Sequence, residues 1–109
     1  MKRLLSATLL SLVALTALAA EGEVTLTIEN HAFSPKEVKI LSGKKIKLLV
    51  VNKDASPAEF ESKALGREKV IPAKSTATIL LGPLKPGRYA FVEEYHENEV
   101  PAQGTIVVE

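Results

Sequence analysis

From Val24 onward the chain is written in short runs whose apolar residues recur at every second position, and no stretch carries a helical period. Val24, Leu26 and Ile28 alternate with Thr25 and Thr27, the pattern of a strand with one buried face. Val38 and Ile40 repeat it before a Ser42-Gly43 turn, and Ile46 to Val51 is a continuous apolar run ending at Asn52. After the polar loop Lys53–Pro57, Glu59–Ser62 reads as a short strand with Phe60 facing away from Glu59 and Glu61. Glu68–Ile71 is stopped by Pro72, Ser75–Leu81 by Gly82-Pro83, and Arg88–Glu93 puts Tyr89 and Phe91 on one face. Gly104–Val108 closes the series. Seven to eight short strands at this spacing predict an all-β Greek-key β-sandwich. Leu84-Lys85-Pro86-Gly87-Arg88-Tyr89 supports it: Pro-Gly makes a turn, and a Tyr just beyond it predicts a hydroxyl bonded back to the preceding corner. That motif specifies architecture and carries no chemistry.

The first residues have a different character. Lys2 and Arg3 precede an uncharged run from Leu4 to Leu18, and Ala17-Leu18-Ala19 has the small-x-small form of a cleavage site. Residues 1–19 are therefore read as a secretory signal and 20–109 as one exported, periplasmic domain. The apolar run is shorter than the roughly 20 residues of a membrane span and no basic stop-transfer cluster follows, so no membrane anchor is expected after cleavage. Without a twin-arginine pair, the chain is expected to cross unfolded and to load any metal afterwards. Lys2 and Arg3 leave with the signal, so twelve of the fourteen basic residues then face all thirteen acids, a balance that argues against nucleic acid as a partner. The chain has no Cys, and its single Met is Met1. The domain thus has neither thiolate nor thioether, and its stability must come from packing.

The order of several pieces resembles a known family. Phe33-Ser34-Pro35, Ser42-Gly43-Lys44, Asn52, Pro57-Ala58-Glu59-Phe60-Glu61, the tyrosine corner, Glu93-Glu94-Tyr95-His96 and the closing Gly104-Thr105-Ile106-Val107-Val108 look like a cupredoxin-like domain. More narrowly, they look like the EfeO-type and iron-permease-associated periplasmic cupredoxins. The resemblance covers residues 24–109. It implies a metal ion as ligand and, as partner, an inner-membrane iron permease or another iron-uptake component. A blue-copper member holds its metal with a His near the fourth strand and with Cys, His and Met around the last loop. Here Ala58-Glu59 stands where the first His belongs, Glu93 where Cys belongs and His96 where the second His belongs, while the Met position falls near Ala102. Some iron-associated relatives carry a Cys near Phe33, which is also missing. A type 1 copper centre needs a thiolate, so the electron-transfer role does not carry over.

In that register Glu59, Glu61, Glu93 and His96 are the expected metal ligands. Carboxylate with imidazole suits iron or copper(II) and not copper(I), and the carboxylates favour iron(III) over iron(II). Each residue also has a plainer reading: His96 as a solvated loop residue, Glu59 and Glu61 as the outer face of an edge strand, Glu93 as a charge at a strand end. Glu94, Glu97 and Glu99 make the loop acidic, for solubility or to attract cations. Arg67 and Glu68 read as a structural ion pair, and His31, in an Asn-His turn, as a surface or supporting residue. No nucleophile elbow, phosphate loop or substrate cleft for paired carboxylates is present, so enzymatic activity is not expected from this chain alone. Two functions remain: a periplasmic binder of iron or copper(II) serving iron uptake, with possible assistance to ferrous iron oxidation, and a metal-free β-sandwich interaction module.

Overall fold

The computed structural model describes residues 22–109; the signal segment 1–19 and its cleavage site lie outside them. Nine strands follow one another: β1 (Glu23–Glu29), β2 (Ala32–Ser34), β3 (Glu37–Ile40), β4 (Ile46–Asn52), β5 (Ala58–Ser62), β6 (Arg67–Ile71), β7 (Ser75–Leu81), β8 (Gly87–Glu93) and β9 (Gln103–Val108). They form two sheets, ordered β2-β1-β4-β7 and β3-β9-β8-β5-β6. β1 with β4 and β3 with β9 are parallel, and the other pairs are antiparallel. Eight strands match the predicted runs to within a residue or two at each end. The ninth, β2, has three residues and a single buried side chain, Phe33, too little to show a period. Two short 3-10 helices, Glu94–His96 and Val100–Ala102, fill the β8–β9 connection.

The alternation becomes burial. Leu26, Ile28, Ile46, Leu48 and Val50 of one sheet face Phe60, Ile71, Phe91 and Ile106 of the other, all nearly inaccessible. Tyr89 packs at the margin of this core and donates its hydroxyl to the Lys85 carbonyl at 2.8 Å, the expected tyrosine corner. The chain's three phenylalanines form one cluster. Phe91 meets Phe33 edge-on at 4.7 Å between centroids and stacks on Phe60 at 5.2 Å. Gly104 lies against this cluster, where an added Cβ would come within 2.5 Å of the Phe91 ring and 2.8 Å of the Lys36 carbonyl. Phe33, Phe60 and Phe91 each lie one or two residues from His31, Glu59 or Glu93. The aromatic cluster of the core is thus the floor of the site described next.

Candidate metal centre

Three segments from different strands meet at one end of the sandwich. The first is the β1–β2 hairpin, whose two central residues Asn30 and His31 have φ of 55° and 63°. Both angles are left-handed, as a two-residue type I′ turn requires. The Asp54 carboxylate holds this turn by accepting the Asn30 amide at 2.7 Å and the His31 amide at 3.0 Å. Burial pushes the Asp54 carboxyl up, but the two amide bonds, aided by the charges of His31 and Lys74, outweigh it and hold the carboxyl below its usual range. Asp54 is fixed in turn by buried Asn52, which accepts the Asp54 amide at 3.0 Å and donates to the carbonyls of Ser56, Ile71 and Pro72.

The second segment is the end of β8. The period that turns Tyr89 and Phe91 inward also turns Glu93 inward, where it is 1% exposed. A carboxylate buried this deeply must have its oxygens satisfied. Glu93 Oε2 accepts the amides of Glu59 and Tyr95, at 3.0 and 3.1 Å, and Oε1 meets His96 Nδ1. Facing an acceptor, Nδ1 carries the proton, so the other ring nitrogen, Nε2, is directed to whatever lies beyond. The third segment is β5, which brings Glu59 beside β6.

Among the described residues these segments assemble two groups of three side chains whose ligand atoms lie within 4.8 Å of one another: His31, His96 and Glu99, and Glu59, Glu68 and Glu94. The His31 and His96 rings stack at 3.5 Å between centroids with 16° between their planes. In the acidic group, burial and the neighbouring carboxylates of Glu68 and Glu61 push the Glu59 carboxyl up, and burial with Glu59, Glu61 and Glu68 does the same to Glu94. Glu94 Oε1 is a buried oxygen without a hydrogen-bond partner. Three carboxyls this close repel one another when ionised, and a cation would remove that repulsion.

The four residues singled out by sequence are distributed unevenly. Glu93 and His96 are in direct contact, Glu59 belongs to the acidic group, and Glu61 faces Glu68 across the β5–β6 ladder. Neither three-residue group includes Glu61 or Glu93. β5 is also not an edge strand, since β6 covers its outer side. Arg67 and Glu68 do not pair. Neighbours on a strand point to opposite faces, so Arg67 reaches across to the Leu80 carbonyl while Glu68 joins Glu59. His31 lies against His96 rather than standing alone on the surface. The Asn-His pair between two strand-like runs was its one available signal. Glu99 was marked only as part of an acidic loop, and Glu68 only as a partner for Arg67, because their places depend on the fold of the β8–β9 loop and on strand register.

The cupredoxin-like domain family matches residues 2–108. The chain belongs to that family. An uncharacterised protein of Rickettsia prowazekii (strain Madrid E) is 41% identical over 86 residues, which is 79% of this chain and 67% of that protein. Solved structures with the same fold include the metal-binding domain of the Streptococcus pneumoniae Cu(I)-exporting P-type ATPase CopA with Cu(I). It has a TM-score of 0.69 and 16% identity, over 80% of this chain and 84% of that one. Reduced auracyanin from Roseiflexus castenholzii gives 0.68 and 16%, over 83% and 98%. Amicyanin from Paracoccus versutus gives 0.62 and 20%, over 80% and 81%. These likenesses concern the fold. With no cysteine in the chain, this cupredoxin-like domain does not carry a type 1 copper site.

Proposed function

We propose that this is an exported, periplasmic metal-binding protein that takes copper(II) or iron at His31, His96 and Glu99, beside the carboxylates of Glu59, Glu68 and Glu94, and serves iron uptake. The observation that carries the reading is the His96 ring. It is held at Nδ1 by a buried carboxylate, with the ligand atoms of His31 and Glu99 in reach; the His31 ring, stacked on it in the metal-free protein, would turn out of the stack to bring its in-plane lone pair to the same ion. A histidine whose second nitrogen is fixed by a carboxylate is the usual arrangement of a metal ligand. Two imidazoles and hard oxygen donors suit copper(II) or iron and leave copper(I) without a soft ligand. Of the residues expected from sequence, His96 ligates, Glu93 orients it, and Glu59 contributes charge in the adjoining group, with Glu61 behind it. The metal would supply the redox or Lewis-acid chemistry. The chain's own residues bind it, orient the ligands and surround it with negative charge.

Metal content of the exported protein tests this. Near-stoichiometric copper or iron, lost in His96→Ala and reduced in Glu59→Ala, is the expected result. A wild type that neither retains nor rebinds copper(II) or iron at micromolar concentration would leave only the metal-free interaction module.

A further inference from the structure

Charge is segregated along the sandwich although the domain as a whole is nearly neutral. The metal-centre end carries Asp54, Glu59, Glu94, Glu97 and Glu99 against Lys36, Lys53 and Lys74. The opposite end collects Lys44, Lys45, Lys47, Lys63, Arg67 and Lys85, all exposed, against Glu23 and Glu109. Strand directions put them there: β4 begins after Lys45, β5 and β6 turn between Lys63 and Arg67, and β7 leads through Gly82 towards Lys85. The turns are tied together, since the Gly43 amide bonds the Leu84 carbonyl at 3.1 Å and the Lys47 amide bonds the Gly22 carbonyl at 2.8 Å. Among the described residues none of these six cations forms an ion pair; the pairs are Arg88–Glu37 and His96–Glu93.

This end is not purely polar. A groove of 480 Å³ is lined by Lys45, Lys47, Arg67 and Leu80, with Gly22 on its rim. Leu80 is 64% exposed and Leu41 41% exposed. Basic side chains around exposed leucines are what an anionic lipid surface selects: the cations meet phosphates while the apolar groups enter the headgroup boundary.

We propose that the basic pole formed by Lys44, Lys45, Lys47 and Arg67 around Leu80 seats the domain on an anionic phospholipid surface. The metal centre then points away from the bilayer. Strands β4 and β7 are seven residues long, which sets the two ends about 20 Å apart. The proposal does not depend on which metal is bound.

Vesicle co-sedimentation of the exported protein tests it, using phosphatidylcholine vesicles with and without phosphatidylglycerol. The wild type is expected to bind the phosphatidylglycerol vesicles more tightly than the neutral ones, and to lose the difference as salt is raised. Lys44→Gln/Lys45→Gln/Lys47→Gln is expected to weaken binding to anionic vesicles about 100-fold, at about fivefold per basic residue, with copper(II) affinity unchanged. Lys53→Gln/Lys69→Gln, which removes charge elsewhere, is expected to leave binding as it was. Equal binding of wild type and the triple variant would overturn the proposal. So would triple-variant-sensitive binding to a soluble polyanion with no vesicle binding, which would assign the pole to an acidic soluble partner.

Discussion

At the scale of single residues, Glu93 and His31 have different roles that substitution separates. Glu93 spends both oxygens inside the protein, on two amides and one imidazole. In Glu93→Gln the charge is gone and one acceptor becomes a donor, so His96 loses the partner that fixes its tautomer. Metal affinity should fall about 10- to 100-fold, and equilibrium dialysis with copper(II) measures it. His31 sits at a left-handed φ of 63°, which costs a side chain with a Cβ roughly 1 kcal/mol and costs glycine almost nothing. If His31 served the fold, His31→Gly would destabilise it. The expected outcome is unchanged or slightly raised stability in urea denaturation together with weaker metal binding. Glu93 was legible in sequence as a position, through the register after Phe91. Its role was not, because burial and the Glu59 and Tyr95 amides appear only once β5 lies beside β8.

At the scale of elements, the site depends on loops held by side-chain caps. Asp54 locks the hairpin that carries His31. Its carboxyl has a folded pKa below the ordinary 3.8, so it stabilises the fold above that value and loses this as pH falls through the lowered one. Asp54→Asn should flatten the acid-induced loss of stability below that pH while lowering stability at neutral pH, as pH-dependent thermal melts would show. Glu59 runs in the opposite sense. Its carboxyl is raised above 4.5, so the metal-free fold holds that proton more tightly than the unfolded chain and loses stability as pH rises through the raised value. Metal bound beside it should reduce this slope. β8 and β9 meet through Gly104, where there is no room for a methyl group. Gly104→Ala should force the Phe91 ring aside and cost about 1–3 kcal/mol, read from the urea midpoint. The strands themselves were legible, since alternation such as Val24-Leu26-Ile28 survives any tertiary context that buries one face. β2 was not, because three residues cannot display a period, and neither was the Arg67–Glu68 separation, which follows from pleating once both residues are known to lie within one strand.

At the scale of the whole molecule, the Greek-key order brings the ends of β1, β5 and β8 together although the site residues there are up to 68 positions apart in the chain. Sequence reasoning placed two stretches there, around Glu59 and around Glu93 to His96, because the tyrosine corner and the family register fix both. It left out the β1–β2 hairpin, whose arrival beside His96 is set by β1 pairing with β4 and by Asp54, both non-local. The same topology biases charge, with carboxylates outnumbering lysines at the end where the strands converge on His96 and lysines outnumbering carboxylates at the other. His31 and His96, as proposed, ligate one metal ion. Electron paramagnetic resonance of the copper(II)-loaded domain tests this most directly, through the hyperfine pattern of coordinated nitrogen. The expected spectrum shows two imidazole nitrogens in the wild type and one in His31→Gly. A wild-type spectrum with a single nitrogen, unchanged in His31→Gly, would contradict the claim.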